Sequence, residues 1–263
     1  MKKLVAFAFI ALLLSGCATT SKIDASISAV SQEDRIQFII LHYTAIDQPT
    51  SLKVLSQQGV SSHYLVGDQN PVPVWQLVDE QRMSYHAGLS EWKGYSRLNA
   101  SSIGIEIVNL GYKDTATGRE YFPFPPAQID RVIALVKDIS ARHQIRPEYI
   151  LGHSDIAPQR KSDPGPLFPW KRLADAGLIP WPVSEEVIQR MSVYETQLPE
   201  IKWFQEKLMQ YGYTVPQNGL LDTATRNVLI AFQSKYRSEK FDGQPDAQTA
   251  AILESLLGQI KPR

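Results

Sequence analysis

One cysteine stands in the 263 residues, which excludes an internal disulfide framework and any zinc ribbon built on several thiolates. A metal, if one is held, must rest on histidine and carboxylate. Excess charge is also missing: 27 Lys+Arg face 27 Asp+Glu, and no block of like charge forms a tail. Without a basic field to grip a phosphate backbone, nucleic acid is set aside as a partner. Long apolar runs are missing too. Leu4 to Leu14 is eleven residues, and such a run makes roughly 16 Å of helix against the ~30 Å of a bilayer core. What is there, 43% apolar residues in a chain of this length, describes a folded protein of one or two domains.

Lys2 and Lys3 precede that short apolar run and Leu14-Ser15-Gly16-Cys17 closes it, the layout of a targeting segment rather than of a fold. The segment resembles a bacterial lipoprotein signal. That resemblance implies removal of residues 1–16, lipidation of Cys17 with palmitate-type acyl chains, and a membrane anchor that the sequence otherwise lacks. Ala18, in place of Asp after the cysteine, implies sorting to the outer membrane, with the folded part facing the periplasm. Residues 17–35, rich in Ser, Ala and charge without apolar periodicity, read as a tether.

Folding is expected to begin at Gln37-Phe38-Ile39-Ile40-Leu41, a continuous apolar run of the kind a buried strand needs, ending at His42-Tyr43-Thr44. Val74 to Val78 reads as a second strand. Ser102 to Asn109 alternates, which places Ile103, Ile105 and Ile107 on one face and Glu106 on the other. Ile129, Val132, Ile133, Val136 and Ile139 recur at three and four, predicting an amphipathic helix to about His143. After Tyr149-Ile150-Leu151, a loop stiffened by proline runs from Gly152 to Trp170 and holds His153, Lys161 and Asp163. Loops longer than about 12–15 residues in a compact domain are usually functional or disordered. The predicted class is α/β: a mixed central β-sheet flanked by helices over residues 36–180, then a linker over 181–194.

Residues 195–260 predict a small three-helix domain. Gly219 to Thr225 and Gly243 to Thr249 repeat the pattern Gly-x-x-Asp-x-x-Thr, so Asp222 and Asp246 are expected to cap two helices. Pro199 opens an earlier helix carrying Ile201, Phe204, Leu208 and Tyr211.

Five histidines limit where metal chemistry can lie. His42 ends a buried strand, His153 opens the long loop and Asp163 follows in it, so two neutral imidazoles and a carboxylate could meet over a strand edge, leaving one coordination position open. Strand ends and loops also hold merely hydrogen-bonded histidines, and spacing alone leaves both readings standing. His143 is expected to complement the C-terminal end of its helix, and His63 to pack beside the site.

Ile40-Leu41-His42-Tyr43-Thr44-Ala45, Val60-Ser61-Ser62-His63-Tyr64, Tyr85-His86-Ala87-Gly88, Ser101-Ser102-Ile103-Gly104-Ile105-Glu106 and the stretch from Gly152 to Gly165 together resemble the zinc-dependent N-acetylmuramoyl-L-alanine amidases of the amidase_2 and peptidoglycan-recognition superfamily. Residues 195–260 resemble a peptidoglycan-binding domain, although Ser238-Glu239-Lys240 departs from its usual small linker. The resemblance implies one Zn2+ on His42, His153 and Asp163, with Glu106 as the catalytic carboxylate and Lys161 as a cationic partner. It implies hydrolysis of the amide joining the lactyl group of N-acetylmuramic acid to L-alanine in peptidoglycan or muropeptides. Tyr85, His86, Arg97 and Asn99 are expected to line the substrate groove. The competing class is a non-catalytic peptidoglycan-binding lipoprotein, which usually has a broken zinc set; no ligand is missing from this one.

Overall fold

A computed structural model describes residues 23–116 and 118–260. Cys17 and the expected leader lie outside the described residues, and among those described no helix is long and apolar enough to cross a membrane. Of the described residues, 23–33 belong to one unit and are irregular, and those from Asp34 belong to a second, compact one.

In chain order the second unit contains β1 (Phe38–Tyr43), α1 (Gln48–Gln57), β2 (Tyr64–Val66), β3 (Val74–Gln76), β4 (Glu91–Trp92), β5 (Tyr95–Ser96), β6 (Ser102–Ile107), β7 (Tyr112–Thr115), β8 (Gly118–Tyr121) and α2 (Pro126–His143). It continues with β9 (Ile150–Gly152), α3 (His153–Ile156), α4 (Trp170–Asp175), α5 (Ser184–Thr196), α6 (Ile201–Tyr211), α7 (Thr223–Tyr236) and α8 (Ala247–Gln259). Five strands form the central sheet in the order β3-β2-β6-β1-β9. All its pairings are parallel except β2 with β3, so the mixed sheet is as the sequence predicts. β1 and β6 lie inside it, and Phe38, Ile39, Ile40, Leu41, Ile103 and Ile105 are wholly enclosed, which explains their unbroken or alternating apolar runs.

Helix α2 starts on Pro126 at its first position and buries Ile129, Val132, Val136 and Ile139. Gln128 pins its first turn to the sheet, donating from Nε2 to the carbonyls of Gly67 and Val108. At its other end His143 does more than face the helix terminus: its Nε2 lies 2.6 Å from Glu80 Oε2, beside an Arg142 fork on the same carboxylate. The strand expected over Val74–Val78 stops at Gln76, because the amides of Leu77 and Val78 turn to the His63 carbonyl.

Asp222 and Asp246 cap α7 and α8 as expected, each accepting the amide hydrogen three residues on, at 2.8 Å. Residues 181–194, expected as a linker, instead carry most of α5, which packs along α8 and is tied to it by Arg190 and Glu254 at 2.7 Å. No α5 residue is fully enclosed, so its apolar period was too weak to mark a helix. The larger of two apolar clusters joins sheet and C-terminal helices, with Phe38, Trp170, Tyr213, Phe232 and Leu256 in it.

Candidate metal centre and active site

β1 and β6 run in register, with His42 opposite Glu106. Residues so paired on neighbouring strands share a face, and both stand near the carboxyl ends of their strands, where open α/β sheets hold ligands. On the other side of β1, β9 ends at Gly152 and the chain passes straight into α3 at His153. Glycine is needed at that junction: a Cβ on Gly152 would lie 2.8 Å from Pro164 Cδ and 3.1 Å from the Trp170 ring. The close approach lets the Ser154 amide donate to the Asp163 carbonyl at 2.9 Å, which brings the far end of the long loop back over its beginning.

His42 Nδ1 lies 2.9 Å from His153 Nδ1, and Asp163 Oδ2 lies 3.1 Å from each. All three side chains are buried. The surrounding partners fix the tautomers. Ser102 Oγ lies 2.5 Å from the Leu98 carbonyl, to which only its own hydrogen can be given. The same oxygen must then accept from His86 Nε2 at 3.1 Å, which leaves His86 Nδ1 to accept from His42 Nε2 at 3.0 Å. His42 Nδ1 therefore carries a lone pair. His153 Nε2 faces the Ala87 carbonyl at 3.1 Å and the Arg160 guanidinium at 3.3 Å; that Nη2 gives its hydrogens to the carbonyls of Ala87 and Leu89, so Nε2 is assigned as donor to Ala87 and Nδ1 carries a lone pair as well. Two nitrogen lone pairs and a carboxylate oxygen thus converge with no proton among them. That donor set fits a divalent cation with two imidazoles and one carboxylate.

Electrostatics agree with this arrangement. Burial, reinforced by the neighbouring His153, lowers the His42 imidazole to about 4, favouring the neutral form a ligand needs. Burial alone would raise the Asp163 carboxyl; positive charge on the side of His153 and then His42 outweighs it and holds the group well below the usual carboxylate range, and with both imidazoles neutral that charge is what a cation would supply. Glu106 goes the other way: burial and then Asp163 push its carboxyl well above the ordinary value, against the pull of Lys161. Its Oε2 is buried with no hydrogen-bond partner, a costly state that calls for a group in front of it. Lys161 itself is exposed, lining a cleft of about 170 Å³ between the catalytic loop, the β7–β8 hairpin and α7.

The expected groove residues separate in the structure. Tyr85 is exposed, and Arg97 lines an open groove with Leu89 and Arg160. His86 differs from that expectation: it is buried, and its Nδ1 lies 3.0 Å from His42 Nε2. Asn99 spends its Oδ1 on the amides of His86 and Ala87, which holds the His86 loop in place. His63 packs beside His86 with ring centroids 5.8 Å apart, and its Nδ1 accepts from the Gly104 amide. Sequence reasoning assigned no part to Ser102, Gly104 or Arg160, whose guanidinium holds the carbonyls of Ala87 and Leu89. A serine on the buried side of a strand was a signal for the first; nothing local marked the third.

Comparison with known proteins accords with the geometry. Residues 32–166 match the family model described as N-acetylmuramoyl-L-alanine amidase, and residues 197–253 match one for a peptidoglycan binding domain. The chain is 42% identical over 261 residues, 94% of each chain, to N-acetylmuramoyl-L-alanine amidase AmiD of Escherichia coli. The solved complex of the E. coli AmiD with anhydro-N-acetylmuramic acid-L-Ala-D-gamma-Glu-L-Lys superposes with a TM-score of 0.82 at 41% identity, covering 90% of this chain and 94% of that one. AmpDh3 of Pseudomonas aeruginosa, solved with anhydromuramic pentapeptide, gives 0.84 at 35% identity over 91% and 98% of the two chains. With one family model spanning residues 32–166 and 42% identity sustained along nearly the whole of a relative, the chain belongs to the N-acetylmuramoyl-L-alanine amidase family.

Proposed function

We propose that this chain is a zinc-dependent N-acetylmuramoyl-L-alanine amidase that cuts the amide between the lactyl group of N-acetylmuramic acid and L-alanine in peptidoglycan and muropeptides. The observation that carries the reading is the buried meeting of His42 Nδ1, His153 Nδ1 and Asp163 Oδ2, with Glu106 in register beside it. His42, His153 and Asp163 would hold the zinc, which supplies Lewis acidity and an activated water when bound. Glu106, its unpaired oxygen on the shared face, takes the proton from the attacking water and returns it to the leaving amine of L-alanine. Lys161 offsets the negative charge that grows on the carbonyl oxygen. Arg97, exposed on the open groove it shares with Arg160, and Tyr85, exposed next to His86 in the chain, contribute to the surface that receives the muropeptide.

The test is digestion of purified muropeptides by residues 18–263, read by mass spectrometry before chelation, after it, and with zinc restored. Release of intact stem peptides beginning at L-alanine, lost with chelator and regained with zinc, is the expected outcome. Metal bound without any release would overturn the hydrolytic reading in favour of recognition alone.

The leader supports a further part of the proposal: Cys17 is lipidated and anchors the enzyme, through Ala18 sorting, to the periplasmic face of the outer membrane. Labelling with a palmitate analogue should mark the full-length chain and not Cys17→Ala, and an unlabelled full-length chain would remove the anchor.

A further inference from the structure

The C-terminal helices reach the segment that carries His153 through a buried charge. Asp155 lies two residues beyond His153, in α3, and its side chain is almost wholly enclosed. One oxygen, Oδ2, accepts the Gly152 amide at 2.8 Å, holding the backbone that leads into His153. The same oxygen meets Lys235 Nζ at 2.8 Å, and the other accepts the Tyr213 hydroxyl at 2.5 Å. Lys235 belongs to α7 and Tyr213 follows α6, so both partners come from the helical region matched as a peptidoglycan binding domain.

Lys235 is itself buried, and it is held from three directions: by Asp155, by the Ile150 carbonyl at 3.4 Å, and by the Trp170 ring with Nζ 4.4 Å from its centroid. Tyr213 is fixed as firmly, packed edge-on against Trp92 with centroids 4.8 Å apart. Gly212 just before it has φ of 146° and no room for a Cβ, which would lie 2.7 Å from Trp92 Cε2. A buried ion pair is poor value as a source of stability, because desolvating two charges cancels most of their attraction. Such pairs are best attested where they fix one arrangement among several. The arrangement fixed in this case is that of the peptide leading into a metal ligand.

We infer that Lys235 and Tyr213 are positioning residues for the metal centre: the helical domain clamps Asp155 and thereby sets the direction of His153. The domain is then part of the catalytic apparatus, whatever wall polymer it also binds, and the two cannot move independently. The inference rests on His153 being a zinc ligand.

The experiment uses the full mature chain. Zinc affinity by chelator competition, kcat and KM on a muropeptide, and the melting temperature of the metal-free protein are compared for the parent, Tyr213→Phe, Lys235→Met and Leu253→Ala. Leu253 is enclosed in α8 and makes none of the Asp155 hydrogen bonds, so its truncation weakens the domain while leaving those bonds in place. Lys235→Met should lower zinc affinity about 10–100-fold, as loss of a partner beyond the ligands typically does, and Tyr213→Phe several-fold. Both should reduce kcat with KM little changed. Leu253→Ala should lower the melting temperature while the folded protein keeps parental zinc affinity. Parental zinc affinity and kcat in folded Tyr213→Phe and Lys235→Met would overturn the clamp. Should Lys235→Met fail to fold, Tyr213→Phe decides alone, because it removes one hydroxyl. A parent that binds no zinc would overturn the amidase reading itself, a separate and recognisable outcome.

Discussion

Replacing Gly104 by alanine tests the tautomer relay behind the metal centre with a single methyl group. Gly104 lies in β6, between β2 and β1, and the His86 ring occupies the space a side chain there would need. An added Cβ would come within 2.5 Å of His86 Cγ and 2.7 Å of Cδ2 and Nδ1, distances no packed core tolerates. The strand is hydrogen-bonded on both sides, so the ring is what must move. Moving it breaks the bond of 3.0 Å from His42 and the bond of 3.1 Å to Ser102. His42 Nε2 then loses the acceptor that keeps its hydrogen, and with it the lone pair on Nδ1. Loss of such a partner lowers metal affinity about 10–100-fold, equivalent to about 1.4–2.8 kcal/mol. Overpacking adds about 1–3 kcal/mol of destabilisation to the metal-free fold.

Chelator competition for zinc and thermal unfolding of the metal-free protein measure the two terms separately. Gly59→Ala is the control, since a Cβ there meets nothing within 4 Å. A second arm removes the clash: His86→Ala in the Gly104→Ala background gives the methyl room. If the ring is the cause, the double variant has the zinc affinity of His86→Ala alone, and its stability is better than the sum of the single losses allows. Gly104→Ala with parental zinc affinity would refute the relay as the device that aims His42.

Glu106→Gln should bind zinc as the parent does while kcat falls about 100- to 10,000-fold; turnover near the parental rate would remove Glu106 from proton transfer. Lys161→Ala should cost about 100- to 1000-fold in kcat with the zinc site intact, read by the same digestion and metal titration. Glu80 carries a prediction about stability. Burial would raise its carboxyl, but the hydrogen bonds from Arg142, Tyr64 and His143 prevail and lower it to about 2. A depressed carboxyl stabilises the fold above its unfolded value near 4.5 and loses that contribution as pH falls toward 2. The melting temperature of the parent should therefore drop through that window more steeply than that of Glu80→Gln, and parallel curves would show that the cluster adds nothing.

The sheet was legible because its central strands are buried on both faces. Phe38 to Leu41 and Ile103 to Ile107 advertise that burial in composition and alternation, and His42 and Glu106 interrupt it at the points where the strands reach the site. The two aspartate caps were equally plain, since a cap is local: residue, amide and helix lie within four positions. Helix α5 was not, because it lies on the surface of the helical domain with no residue fully enclosed, and a weakly amphipathic helix shares its composition with a linker.

The His86 misplacement has a different origin. Tyr85 and His86 are neighbours in sequence, and reading them as a groove-lining pair treated adjacency as a shared direction. In an extended or turning segment successive side chains point apart, and Tyr85 goes to solvent while His86 goes inward to His42. What decides His86 is held on a different strand: Ser102 supplies the acceptor for its Nε2, and two residues on Gly104 supplies the space for its ring. The motif Ser-Ile-Gly-Ile-Glu thus carries three functions on one face of one strand, an acceptor, a hollow and a carboxylate, at the alternation of two that a strand imposes. The sequence displays that period openly for Glu106. It hides the other two because a serine and a glycine announce their task only when the ring that needs them is in view.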